Sequence, residues 1–120
     1  MTAETIEQAI RDLVAVYGDG VLTAREGTRT LVRVSDVELP PGCQPARTPM
    51  LIVFDPGQAR PTPYVQLGQL LANGRAPRST SIQIVGGESW MQFSFNIPWA
   101  EGQGIVRFVA AARQRFAQND

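Results

Sequence analysis

A thiol with a guanidinium close behind it, and one close pair of carboxylates, are the groups in this chain whose types and spacing admit chemistry. Cys43 follows Leu39-Pro40-Pro41-Gly42, and Arg47 lies shortly beyond it. A neighbouring guanidinium lowers a thiol pKa and favours the reactive thiolate, so Cys43 is the candidate nucleophile. Asp36 and Glu38 are the close acidic pair, a spacing that admits carboxylate-assisted hydrolysis or magnesium binding. They stand beside the break of an alternating strand, where surface placement is the simpler reading. Gly102-Gln103-Gly104 ahead of a helical stretch has the texture of a phosphate cradle, but it lacks a preceding strand and a basic partner. Phe93 and Phe95, with Arg75 and Arg78, have the spacing of a base-stacking platform. The same alternation is what a sheet buries in its own core.

Two absences bound the chemistry further. The 120 residues contain no histidine, which removes Ser-His and Cys-His activation and the commonest zinc ligand. Every basic side chain is arginine, so neither a Schiff-base lysine nor a phosphate-loop lysine is available. No cofactor and no metal are expected.

The elements that must position these residues follow from periodicity. Ile6, Ile10, Leu13, Val14 and Tyr17 share one face of a helix, with Thr5 and Gln8 as a capping box at its start and Gly18 as its stop. Short β-branched runs come next: Val21 to Thr23, a turn at Glu26-Gly27, and Thr28 to Val34, which together read as a hairpin. Pro40-Pro41-Gly42 breaks the pattern. Met50 to Phe54 is apolar at every position and predicts a central strand covered on both faces. A proline-rich loop then leads to a short strand at Tyr64-Val65, and Leu67, Leu70 and Leu71 are spaced for one helical turn. Ser81 to Val85 and Ser89 to Phe95 read as extended. A last helix, about Gln103 to Ala117, has Ile105, Phe108, Val109, Ala112 and Phe116 as its apolar stripe, with Arg107, Arg113 and Arg115 toward water.

The length suits one domain over residues 1–120 with a single core. Formal charge is zero, which predicts no general attraction to nucleic acid or to a membrane surface. One cysteine excludes an internal disulfide, no apolar run approaches the ~18 residues of a membrane span, and the first residues carry acids where a signal peptide carries bases. A cytoplasmic protein is expected.

The fold class is α+β, in the order helix, hairpin, two-faced strand, proline-rich loop, short strand, an extended crossing with Trp90 and Trp99, and a closing helix. That order, with Val37-Glu38-Leu39-Pro40-Pro41-Gly42 followed by Pro49-Met50-Leu51-Ile52-Val53-Phe54, resembles the divergent prokaryotic branch of the ubiquitin-conjugating-enzyme-like (UBC-like) superfamily. The resemblance implies an N-terminal helix, an antiparallel meander of about four strands, an irregular crossing segment and a C-terminal helix. On that resemblance, Gly87-Glu88-Ser89-Trp90 falls where conjugating enzymes have a glycine, two residues and the catalytic cysteine. Trp90 stands in place of the thiol. Pro61 and Pro63 match part of the family's proline pattern, but its Tyr-Pro is missing, and Asn96 follows rather than precedes the expected site of the oxyanion-stabilising asparagine. The resemblance implies a non-catalytic protein-binding or adaptor module in a bacterial ubiquitin-like conjugation, defence or signalling pathway. The implied partner is a protein, such as a ubiquitin-like protein or its activating enzyme. Trp90, Trp99, Tyr64 and Arg60 are the candidate contact residues, and a sheet edge or the first helix is the candidate docking surface. The alternatives are a cysteine-dependent acyl carrier using Cys43 and a structural or secretion-linked interaction domain.

Overall fold

The computed structural model describes residues 1–93, 97–118 and 120. The elements are α1 (Ala3–Tyr17), β1 (Val21–Glu26), β2 (Arg29–Glu38), β3 (Arg47–Phe54), β4 (Thr62–Val65), β5 (Thr80–Val85), β6 (Glu88–Phe93) and α2 (Ile105–Gln114), with short 3-10 turns at Gly18–Gly20, Glu101–Gln103 and Arg115–Ala117. This is the expected α+β layout with a helix near each end. Among the described residues the sheet, however, has six strands rather than about four, in the order β1-β2-β3-β4-β6-β5, all antiparallel.

β1 to β4 form the consecutive meander, and the surplus is the hairpin β5–β6. Part of the stretch expected to cross irregularly, including Trp90, is therefore paired strand. The cause is local: Gly86 and Gly87 take φ of 60° and 82°, the two positive values that a tight two-residue hairpin turn requires, and the register Val85↔Glu88 follows. Phe95 and Asn96 lie outside the described residues.

α1 begins earlier than the expected box at Thr5. Thr2 is the cap, its hydroxyl accepting from the Thr5 amide at 3.1 Å, because Ala3 and Glu4 extend the helix well and the acid suits its positive end. Gly18, at φ 61°, ends it as expected and donates its N–H to the Val14 carbonyl. α1 buries Ile6, Ala9 and Leu13, and α2 buries Ile105, Phe108, Val109 and Ala112. Both belong to one core with Val32, Val34, Met50, Ile52, Phe54, Val65, Met91 and Phe93 of the sheet. Burying each large apolar side chain stabilises the fold by roughly 1.5–3 kcal/mol.

Met50 to Phe54 is buried throughout, as expected for a strand covered on both faces. Met50, Ile52 and Phe54 join the helix-side core, whereas Leu51 and Val53 join a second cluster with Leu31, Tyr64, Val85 and Trp90. This second cluster consists of strand residues alone. It is sheltered because the sheet curls: the Gly86 amide at the β5–β6 turn donates to Glu26 Oε2 at the β1–β2 turn, at 2.7 Å.

Two further expectations change. Leu67 to Leu71 forms no helical turn; Gly68 sits at φ 80°, outside helical backbone, and after one turn at residues 67–68 the segment is irregular. Arg115 does not face water. It is buried, and its Nη2 meets Asp120 Oδ2 at 2.6 Å.

Candidate protein-interaction surface

The Leu39 to Ala46 loop that carries Cys43 is clamped from two sides. The Leu70 amide donates to the Gln44 carbonyl at 3.0 Å, and the buried Gln69 Nε2 donates to the Pro45 carbonyl at 2.9 Å. Gly42, at φ 97°, brings its backbone against the Ala72 carbonyl, which leaves no room for a side chain. Cys43 is thereby turned inward. It is only 4% exposed, belongs to the helix-side core, and its Sγ faces the Phe116 carbonyl at 3.7 Å.

Burial pushes the Cys43 thiol up, opposite to the activation that its sequence neighbour suggested. Arg47 cannot supply that activation, because it is held by Asp36 at 2.6 Å and lies 3.7 Å from Glu38. The acidic pair is thus accounted for as well: Asp36 and Glu38 are exposed partners of one guanidinium. Among the described residues no group of three or more His, Cys, Asp or Glu side chains is placed to hold a metal ion.

The structure brings Trp90 and Tyr64 together and separates Trp99 and Arg60 from them. Trp90 and Tyr64, 5% and 6% exposed, sit in the second cluster on the face away from the helices. Burial raises the Tyr64 phenol pKa, with nearby Arg29 partly offsetting it. The Arg33 guanidinium lies 5.4 Å from the centre of the Trp90 ring and 3.7 Å from Glu88 Oε2. Beside this trio is a cavity of about 180 Å³, lined by Leu22, Leu31, Leu51, Val85 and Gly86 as well. That space is below the ~300 Å³ at which small-molecule pockets begin.

Trp99 is half-buried on the other side of the molecule, edge-to-face on Phe108 at 5.9 Å between ring centres. Arg60 is exposed in the β3–β4 loop. Phe93, 2% exposed and edge-on to Phe116 at 5.1 Å, is core and presents no free face for a base.

The surface that residue-by-residue reading missed is the β5 edge. β5 pairs with β6 along all six residues and terminates the sheet order, so its other backbone edge is unpaired within the sheet. Ile82 lies opposite Met91, on the helix face, yet the helices stop short of it: Ile82 and Ile84 are 68% and 75% exposed. Sheet edges are normally blunted by charge, proline or a bulge. Thr80-Ser81-Ile82-Gln83-Ile84-Val85 has no charge and no proline, and its register is unbroken. The opposite edge, β1, carries Arg25 and Glu26.

No helix among the described residues is long and apolar enough to cross a membrane. No protein-family model, curated protein or solved structure matches this chain.

Proposed function

We propose that the chain is a non-catalytic UBC-like protein-binding or adaptor module, working in the cytoplasm within a bacterial ubiquitin-like conjugation, defence or signalling pathway. Its partner is a protein, and the β5 edge is where an extended strand adds to the sheet. The pathway rests on the resemblance of sequence and element order alone. Protein binding rests on one observation: an uncharged edge strand presenting two exposed isoleucines and a row of unpaired backbone groups. Main-chain hydrogen bonds along such an edge give affinity, and alternate side chains give specificity.

The chemistry present supports the non-catalytic part. Acyl carriage needs a sulfur that an activated ester can reach, and Cys43 is buried behind a clamped loop with its thiol pKa raised. The test is twofold. Incubation with an activated ubiquitin-like protein should leave no reductant-sensitive adduct; an adduct abolished by Cys43→Ser would refute the non-catalytic reading. Titration of isotope-labelled chain with an unactivated ubiquitin-like protein and with its activating enzyme should shift amide resonances concentrated on residues 80–85. Saturable shifts elsewhere would move the surface, and no shift with either protein would remove the pathway.

A further inference from the structure

We propose that the cleft between α1 and the β1–β2 hairpin binds a small aliphatic α-amino acid as its zwitterion. The cleft is a hollow of about 400 Å³ on the helix side of the sheet. Unlike the hollow beside Trp90, it falls within the ~300–1,000 Å³ of small-molecule sites.

Its walls follow from local geometry. Ala3, Ile6, Glu7 and Ile10 stand three or four residues apart and so share one face of α1. On the hairpin, the register sets Arg25 directly opposite Thr30, and Thr23 opposite Val32 of the helix-side core. Directly opposite residues project from the same face with Cβ atoms about 5 Å apart, so Arg25 and Thr30 both leave the hairpin toward α1. Pro56 of the β3–β4 loop adds apolar surface to that of Ile6 and Ile10.

Three polar side chains are available to a ligand there. Thr30 is 7% exposed, and its hydroxyl has no hydrogen-bond partner among the described residues. Buried hydroxyls ordinarily have one. Gln69 Oε1 and Trp99 Nε1 are sealed inside the protein without a partner, whereas the Thr30 hydroxyl is not, and it opens onto the cleft that Thr30 lines. Arg25 and Glu7 are exposed on the two walls, and neither makes an ion pair or a side-chain hydrogen bond among the described residues.

The presence of both charges selects the ligand. A carboxylate alone gains Arg25 but meets Glu7, and an amine alone gains Glu7 but meets Arg25. A molecule with both groups satisfies both walls. Its carboxylate accepts from the planar guanidinium and from the Thr30 hydroxyl, its ammonium donates to Glu7, and its hydrocarbon lies on Ile6, Ile10 and Pro56.

The experiment is titration of isotope-labelled chain followed by amide resonances, with L-leucine as the probe. Isocaproate lacks only its ammonium, isoamylamine only its carboxylate, and glycine only its hydrocarbon. L-leucine should give saturable shifts concentrated on residues 3–10 and 23–30, with a Kd of about 1 mM for a half-open site. Each analogue should bind at least about tenfold more weakly, the loss expected for one charged or apolar contact. Arg25→Met and Glu7→Gln, at exposed positions, should keep the far-UV spectrum and weaken L-leucine by a similar factor. No saturable shift with L-leucine up to about 50 mM overturns the proposal. Equal binding of any analogue, shifts that saturate outside the cleft, or wild-type affinity in both variants also overturns it. The cleft contains no β5 residue, so its failure leaves the edge-binding reading standing.

Discussion

Replacing Gly42 with alanine isolates the contact that keeps the Cys43 loop closed. Two costs act at that position. The backbone sits at φ 97°, in a region that L-residues avoid by about 1–2 kcal/mol. A Cβ there would also lie 2.4 Å from the Ala72 carbonyl oxygen and 3.2 Å from its carbon. Both are backbone atoms, and Ala72 is itself tied by its amide to the Phe116 carbonyl at 2.8 Å, so retreat breaks a hydrogen bond. Overpacking of this kind costs about 1–3 kcal/mol. Together the two give a destabilisation of about 3 kcal/mol, a shift in Tm of roughly 10 °C for a domain of this size.

Urea unfolding followed by far-UV dichroism measures the loss, with an unchanged slope showing that the compactness of both states is preserved. Two controls divide it. Gly68→Ala, at φ 80° with open space around it, carries the backbone cost without the clash, and Gly102→Ala, in open space with ordinary backbone, carries neither. The expected order of loss is Gly42→Ala, then Gly68→Ala, then Gly102→Ala within about 0.5 kcal/mol of the wild type. If Gly42→Ala and Gly68→Ala lose the same amount, the loop does not press on Ala72, and the account of why Cys43 is buried fails.

Cys43 in the native chain should resist a thiol-disulfide reagent at pH 8 and react fully in denaturant; modification within seconds under native conditions would contradict its burial. Arg33→Ala should cost about 0.5–1 kcal/mol through the lost contact with the Trp90 ring, whereas Trp90→Ala should cost about 3–5 kcal/mol, both read from urea midpoints. In a Trp99→Phe variant the remaining Trp90 should emit in the blue and resist acrylamide quenching; a red emission maximum would place it in water. Asp120 has its carboxyl pKa held below the ordinary range by the Arg115 guanidinium and the Arg78 amide. Its stabilising effect is therefore complete above the unfolded carboxylate value of about 4 and is lost as pH falls through the lower folded value. Asp120→Asn should lower the unfolding midpoint at pH 7, and the gap from the wild type should close toward pH 2; a gap that is constant with pH would exclude the ion pair as its source.

The elements were legible because each follows a local rule. The apolar spacing of α1 and α2, the Glu26-Gly27 turn and the unbroken apolar run Met50 to Phe54 reflect short-range geometry that the chain expresses wherever it is placed. The extended stretches Ser81 to Val85 and Ser89 to Phe95, the latter described as far as Phe93, were legible too; the Gly86-Gly87 pair between them was a hairpin signal of the same kind, and it is their pairing into the sheet that the expected layout lacked.

Environment was not legible in the same way. Cys43 and Arg47 are close in sequence, which suggested an activated thiol; in space the guanidinium turns to Asp36 and Glu38 while the thiol faces the core, and only packing of the Ala72 segment against Gly42 decides that. Arg115 falls on a helix end that reads as solvated, and Asp120 returning to meet it decides otherwise. The alternation of Ile82 and Ile84 is the clearest case. By itself it states that the two side chains share a face of a strand, which is equally true of a buried strand and of a bare edge. Strand order and the reach of two helices leave β5 outermost and uncovered, because which surface a residue meets is a property of distant parts of the chain, and alternation records only its own backbone.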